Sequence, residues 1–376
     1  MNINNPFVVG KYISDEYFCG REKETVTLVK HIKNGRNVAL ISPRRLGKTG
    51  LIEHLFNQDE IKENYHTFFV DIYSTSSIAE FVYQLGKEIV QRLKPRQKEW
   101  KDKFFSIVKS LVVGLKIDPF SGELKFDLSL GDIRYPLTTL DEIFEYLEQA
   151  DKPCLVAIDE FQKVSKYREA NVEELLRTKI QRCKKTSFLF SGSERNTMSA
   201  MFNSSAKPFY QSAICMGLEP LPLPVYTQFA RGMFSLRGKI IQEDVISQVY
   251  EKYEGCTWFI QMIMNELFAL TDEGEVCTPQ SLPEAYDNVV VSQEHSYLEI
   301  MSLLAPIQKT VLQAIAKERL ATNVTSAEFV KKYNLRSASS VQSAVKGLLK
   351  TDILTKTAAG YKVYDYFFAD WLTTRY

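Results

Sequence analysis

The chain has 376 residues, 25% of them charged, and a formal net charge of +1. That length accommodates two or three domains, and the near-neutral balance fits an ordinary soluble chain. No run of about 18 apolar residues occurs, so no membrane span is expected, and Met1–Pro6 lacks the basic-then-apolar layout of a signal peptide.

In chain order, the first informative feature is the apolar run Val38–Ile41, followed directly by Ser42-Pro43-Arg44-Arg45-Leu46-Gly47-Lys48-Thr49. This matches the P-loop pattern G-x-x-x-x-G-K-[ST] everywhere but at Ser42, which stands for glycine. In such a loop backbone N–H groups face an anion, Lys48 carries charge to the β- and γ-phosphates, and Thr49 offers a hydroxyl to Mg²⁺. The helix starting near Lys48 adds its positive end. The expected cradle is therefore Ser42, Pro43, Arg44, Arg45, Leu46, Gly47, Lys48, Thr49 and Gly50. Serine is small enough to be fitted at the first position, at some cost in backbone freedom.

Strands are expected at Asn37–Ile41, Thr67–Ile72, Cys154–Asp159, Ser187–Ser191 and Ile214–Gly217. Helical stretches lie between them, at Lys48–Phe56, Ser77–Leu93, Leu140–Glu148 and Ala170–Lys184. Strands alternating with helices predict an α/β fold, a parallel P-loop NTPase sheet with ligand at the C-terminal ends of its strands. Cys154–Ile158 is continuously apolar, as suits a strand buried on both faces, and it ends in Asp159-Glu160. An acidic pair there is the Walker B arrangement: Asp159 for Mg²⁺, and Glu160 to orient or activate the attacking water. A solvated acidic turn would leave the same two letters, but the upstream P-loop disfavours it. The P-loop, Asp71, Asp159-Glu160 and the turn Ser191-Gly192-Ser193 all fall at such strand ends.

The first domain spans 1–220 and carries an insertion near 110–132. There Gly114–Ile117 and Glu123–Leu130 flank Asp118-Pro119-Phe120-Ser121-Gly122, and Leu124, Phe126, Leu128 and Leu130 alternate with polar residues, as in a hairpin. Before it, Lys87, Arg92, Lys94, Arg96, Lys98, Lys101 and Lys103 are interleaved with Glu88, Glu99 and Asp102, the pattern of a solvated helix face more than of a nucleic-acid site. Leu218–Pro224, with three prolines, reads as a linker. Residues 221–304 then show helical patterns only and are expected to form a helical lid.

Residues 305–376 have a third character. Helices over Pro306–Lys317, Thr325–Tyr333 and Ser337–Thr351 are followed by a hairpin of Ile353–Thr357 and Tyr361–Tyr364, which makes a C-terminal winged helix-turn-helix. This module holds eleven basic and five acidic residues, a local excess that favours phosphate contact. Ser339, Gln342 and Lys346 on the third helix, with Lys356 and Lys362 on the wing, are the candidate contacts to double-stranded DNA. A winged helix also serves as a protein-contact module, because fold alone does not give function.

Six scattered cysteines form no C-x-x-C pair, and four histidines lack ligand spacing. Reduced buried thiols in a cytoplasmic protein are the simple expectation, and a zinc site is not expected.

Several phrases together resemble the archaeal-type P-loop ATPase family, an AAA+/STAND-like group common also in bacteria. Phe18-Cys19-Gly20-Arg21-Glu22-Lys23-Glu24 resembles its opening F-x-G-R-E-x-E box, and Ser42–Thr49 its G-P-R-R-x-G-K-T loop. Ser191-Gly192-Ser193 is similar to the turn closing its fourth core strand, and Gly255–Gln261 to its lid motif G-x-P-x-x-x-Q. The resemblance implies an AAA+-like sheet, ATP with Mg²⁺ as ligands, and a nucleotide-driven switch. It further implies that Lys48 and Thr49 contact phosphate and metal, that Ser191 or Ser193 senses the γ-phosphate, and that the box with Phe18 and Arg21 lies near adenine. Three departures stand out: Ser42 for glycine, Thr257 for the lid proline, and Pro208-Phe209-Tyr210-Gln211-Ser212 where the family often has P-x-Y-G-R. An arginine finger is worth roughly 10³–10⁵ in rate. Unless Arg195 or a neighbouring copy in a homo-oligomer supplies one, slow basal hydrolysis is expected. The reading is thus a Mg-dependent ATPase switch coupled to a DNA-binding winged helix. The competing reading is a signalling or defence scaffold that binds ATP with little turnover.

Overall fold

A computed structural model describes residues 4–92, 106–110, 115–117, 124–126 and 133–375, with side chains left aside at 115–117 and 124–126. The chain divides into two compact units, Lys11–Leu221 and Met1–Gly10 with Pro222–Tyr376.

In the first unit the strands are β1 (Val38–Ile41), β2 (His66–Asp71), a hairpin of β3 (Leu115–Ile117) and β4 (Leu124–Phe126), β5 (Cys154–Asp159), β6 (Thr186–Gly192) and β7 (Ile214–Met216). Five of them form one sheet in the order β2-β5-β6-β1-β7, with every pairing parallel. β3 and β4 pair antiparallel, as the alternation predicts. The rest of the expected hairpin, and Lys94 to Lys103 of the basic stretch, lie outside the described residues. Arg92, at the end of the helix Ile78–Arg92, pairs with Glu88 at 2.9 Å.

The apolar run of β5 serves two cores. Cys154, Val156 and Ile158 join Phe188 and Phe190 of β6 and the helices Ile78–Arg92 and Pro136–Glu148 on one face. Leu155 and Ala157 join Val38, Leu40 and Leu189 against Leu51, Ile52 and Leu55 of the helix Lys48–Asn57 on the other. Successive strand side chains point to opposite faces, so a strand covered on both sides has no polar position to spare.

The second unit contains the helices Leu223–Ser235, Glu243–Lys252, Thr257–Leu270, Leu282–Ser292 and Glu294–Leu303. Between them β8 (Ile240–Ile241) and β9 (Val276–Cys277) form a short parallel pair, a departure from the all-helical expectation. Two-residue strands are too short for periodicity to reveal. The winged helix follows, with helices Pro306–Glu318, Ala327–Lys332 and Ala338–Lys350 and a wing of β10 (Leu354–Lys356) and β11 (Tyr361–Val363). Ser326 and Ser337 cap the second and third helices by accepting hydrogen bonds from Phe329 N and Ser340 N.

A last helix, Tyr366–Arg375, was not expected from the sequence. It buries Phe367, Phe368, Trp371 and Leu372, and joins the winged helix to the helical region. Phe367 lies 5.0 Å from Phe259 and 5.3 Å from Tyr253, and Phe368 stacks on Tyr297 at 4.9 Å. Trp371 Nε1 donates to Glu294 Oε1 at 3.1 Å, and Lys252 pairs with Asp370 at 3.0 Å. No helix among the described residues is long and apolar enough to cross a membrane. None of the six cysteines, all of them described, forms a disulfide; Cys154 and Cys277 are buried, whereas Cys215 is exposed, against the expectation of buried thiols.

The N-terminal segment completes this unit. Phe7 is fully buried among Phe229, Phe234 and Phe268, with ring centroids 5.5–6.1 Å away. Asn5 and Asn265 tie it down reciprocally: Asn5 Nδ2 donates to Asn265 O, and Asn265 Nδ2 to Phe7 O, both at 2.8 Å. Truncating a buried phenylalanine to alanine costs about 3–5 kcal/mol. Phe7→Ala is therefore expected to destabilise this unit by that amount, measured by urea denaturation of the full chain; a loss under about 1 kcal/mol would show the segment to be only loosely attached.

Candidate functional site

The loop after β1 bends through two left-handed residues, Arg45 (φ 69°) and Gly47 (φ 86°). Ser42 is not one of them. Its backbone needs no glycine, and its small side chain is accepted at 1% exposure, which is why the departure from the motif leaves the loop intact. Lys48 is buried, and its Nζ donates to Ser42 O and Pro43 O, each at 2.8 Å. The ammonium is thus held inside the curl of the loop. Thr49 next to it is exposed, and its Oγ1 donates to Asp159 Oδ2 at 3.2 Å, across 110 residues of sequence.

The parallel register sets Asp71 beside Asp159, and Ile41 beside Gly192. The ends of β2, β5, β6 and β1 are therefore level, and the loops that follow them meet. Glu160 adopts a left-handed conformation (φ 58°), uncommon for a residue other than glycine and typical of functional turns. The turn is backed by aromatic rings: Phe161 is fully buried, 4.5 Å from Phe190 and 5.2 Å from Phe209. The Glu160 carboxylate then receives several groups. Ser193 Oγ donates to Oε2 at 2.8 Å, Gln162 Nε2 donates to the same oxygen, and Arg44 Nε lies 4.0 Å from Oε1. Arg44 Nε also donates to Ser193 Oγ at 3.2 Å.

The two serines named as sensor candidates therefore differ. Ser193 meets Glu160 and Arg44. Ser191 is fully buried inside β6, and its hydroxyl has no hydrogen-bond partner among the described residues. The sequence pattern does not mark Gln162; its available signal is a polar residue two positions after Glu160. Nearby, Tyr73 follows β2 with Arg44 5.5 Å and Lys163 4.5 Å from its ring. Burial would push the Glu194 carboxyl up, but the Lys166 ammonium bonded to it at 2.5 Å holds it below its usual value.

The N-terminal box lies beside the same helix. Phe18 stacks on His54 at 4.3 Å and lies beside Gly50. Arg21, left-handed and buried, donates from Nη2 to Leu46 O at 3.2 Å and from Nη1 to Glu24 at 2.7 Å. It braces the phosphate loop from behind. Burial pushes the Cys19 thiol up to about 12, which keeps it unreactive. Arg195 is exposed at the start of the helix Arg195–Asn203, and Gln211 is left-handed (φ 53°) where the family motif has glycine.

In the second unit Thr257 is the first residue of the helix Thr257–Leu270, the N1 position that suits the family's proline. Gln261 Oε1 accepts from Tyr226 OH at 2.7 Å. On the winged helix Ser339, Gln342 and Lys346 are exposed along one face of the third helix, while Val341, Ala344, Val345 and Leu348 face inward. Lys356 is exposed on the wing. Lys362 differs from these: its Nζ donates to Glu254 Oε2 at 2.6 Å and to Tyr366 OH at 3.0 Å. Burial would push the Glu254 carboxyl up, but this ammonium holds it below its usual value.

Comparison with known proteins agrees with this architecture. Residues 31–197 match the family described as AAA domain, and residues 295–374 the family described as probable winged helix domain. No curated protein matches the chain. Among solved structures, the chain is similar to the Walker-type ATPase PABY2304 of Pyrococcus abyssi, with a TM-score of 0.65 at 17% identity over 98% of this chain and 99% of that one. It is similar to the Aeropyrum pernix ORC2 protein in ADPNP–ADP complexes, with a TM-score of 0.60 at 15% identity over 99% and 96% of the two chains. The Aeropyrum pernix ORC1 protein in complex with DNA gives 0.52 at 12% identity over 95% and 93%. At such identities the likeness is one of fold. With the five-strand order, the phosphate loop and the wing in place, the chain has an AAA-type P-loop fold, which implies nucleotide binding, and ends in a winged helix.

Proposed function

We propose that this protein binds ATP with Mg²⁺, hydrolyses it slowly, and uses the nucleotide state as a switch coupled to DNA contact by its winged helix. The observation that carries the reading is the Thr49 Oγ1–Asp159 Oδ2 hydrogen bond of 3.2 Å, which brings the phosphate loop and the acidic couple to one point. A solvent-facing hydroxyl beside a carboxylate is an oxygen donor set that suits a hard cation. Thr49 and Asp159 would hold Mg²⁺ there, where it neutralises charge on the phosphate oxygens. Lys48 supplies a fixed cation inside the loop, the backbone N–H groups from Arg44 to Thr49 receive phosphate oxygens, and the helix start at Lys48 favours the anion. Glu160 orients the attacking water, and Ser193, bonded to it, senses the terminal phosphate. Phe18 and Arg21 form the adenine side through Gly50 and the loop they brace.

Slow turnover follows from Ser212 standing where the family often has arginine. A neighbouring copy in a homo-oligomer is the source of such a charge that this reading favours. Coupling to DNA follows from packing. The terminal helix locks the winged helix to the helical region, so that motion of one carries the other. Exposed Ser339, Gln342, Lys346 and Lys356 make a polar and basic face suited to phosphates and base edges. The DNA complex of the Aeropyrum ORC1 relative supports that use. The engagement of Lys362 by Glu254 favours the second reading, in which the wing is a packing and protein-contact element.

Lys48→Ala is expected to lower ATP affinity by at least about tenfold, read with a fluorescent analogue. Glu160→Gln is expected to keep that affinity and to cut phosphate release by about 10²–10⁴; unchanged release would remove Glu160 from the chemistry. For DNA, Lys346→Ala and Lys356→Ala should each weaken duplex binding and reduce its salt slope by about 1. Absence of binding to any duplex at low salt would leave protein contact as the role of the wing.

A further inference from the structure

We infer that Gln162 is a positioning residue for Glu160, and that it selects which carboxylate oxygen acts on water. Gln162 lies in the 3₁₀ turn Phe161–Lys166 and is fully buried. A buried carboxamide is costly unless its groups are bonded. Its Nε2 donates to Glu160 Oε2, while its Oε1 has no hydrogen-bond partner among the described residues. The amide is thus committed to the carboxylate on one side only. Its slot is shaped by Gly192: a side-chain carbon there would collide with Gln162 Oε1, with Met198 Cγ at 2.5 Å and with Met198 Sδ at 2.6 Å.

Ser193 Oγ donates to the same Oε2 at 2.8 Å. Two donors therefore occupy Oε2, and Oε1, 4.0 Å from Arg44 Nε, is the oxygen available to accept a proton. The left-handed backbone at Glu160 aims the side chain, and Gln162 fixes its rotation. This inference rests on the catalytic reading of Glu160 given above.

Gln162→Met keeps length and burial but removes the donor. It is expected to lower kcat for ATP about 10- to 100-fold, as a misaimed catalytic group does, with KM and ATP affinity within about threefold of the wild type. Gly192→Ala, which pushes the amide out of its slot, should reproduce the loss and serves equally if Gln162→Met fails to fold. In the Glu160→Gln background Gln162→Met should add no further loss, since the two residues act as one unit. Losses that multiply in that background, or a kcat that stays at the wild-type value in both Gln162→Met and Gly192→Ala, would overturn the inference. Wild-type turnover in Glu160→Gln alone would instead remove the parent reading.

Discussion

Parallel pairing of β1, β6 and β5 is the constraint on which the site depends. Asp159 and Thr49 are 110 residues apart in sequence, and they meet because Val38 is in register with Leu189, and Ala157 with Leu189 in turn. Slipping one strand by a residue would turn its apolar set from one core to the other and carry its loop out of level. The double core of β5 therefore does more than stabilise the sheet. Leu155 and Ala157 on one face, with Cys154, Val156 and Ile158 on the other, fix the height at which Asp159 leaves the strand.

Around that point the charges are arranged in pairs that need each other. Lys48 is buried and bonded to two carbonyl oxygens of its own loop, so the cation is held in place by the loop itself. Glu160 is buried enough to need donors and obtains them from the turn that follows it and from the end of β6. Arg44, carried on the phosphate loop, reaches the same serine and lies near the same carboxylate. Loop, acidic turn and the end of β6 are thus one hydrogen-bonded unit. A phosphate entering the loop would compete for Arg44 and Ser193, and so bear directly on Glu160.

How much of this was legible in the sequence depended on whether the determining interaction was local. The phosphate loop, the acidic pair and the five strands follow from runs of adjacent residues, and the wing follows from the neighbouring runs Ile353–Thr357 and Tyr361–Tyr364. Ser42 looked like a defect because the motif prescribes glycine; the left-handed turns fall at Arg45 and Gly47 instead. Gln162 is not legible in the sequence because its meaning depends on a 3₁₀ turn and on the slot at Gly192, neither of which has a period. The helix Tyr366–Arg375 could have been read, since Phe367, Phe368, Trp371 and Leu372 are spaced as one helical face. Lys362 could not: its partner Glu254 stands 108 residues earlier.

That pairing bears on what the second unit is for. An isolated winged helix would need only its own small core, yet here its last helix buries four large apolar side chains beside Tyr253, Phe259 and Tyr297. Aromatic side chains of this size bury about 150–250 Å² each, far more than a loosely tethered module requires. Lys252–Asp370, Lys362–Glu254 and Trp371–Glu294 then fix the rotation of one part against the other. Glu254 itself sits in a left-handed turn directly before Gly255, where the lid-like motif begins. That turn is therefore joined to the wing and its last helix by a charged contact as well as by aromatic packing.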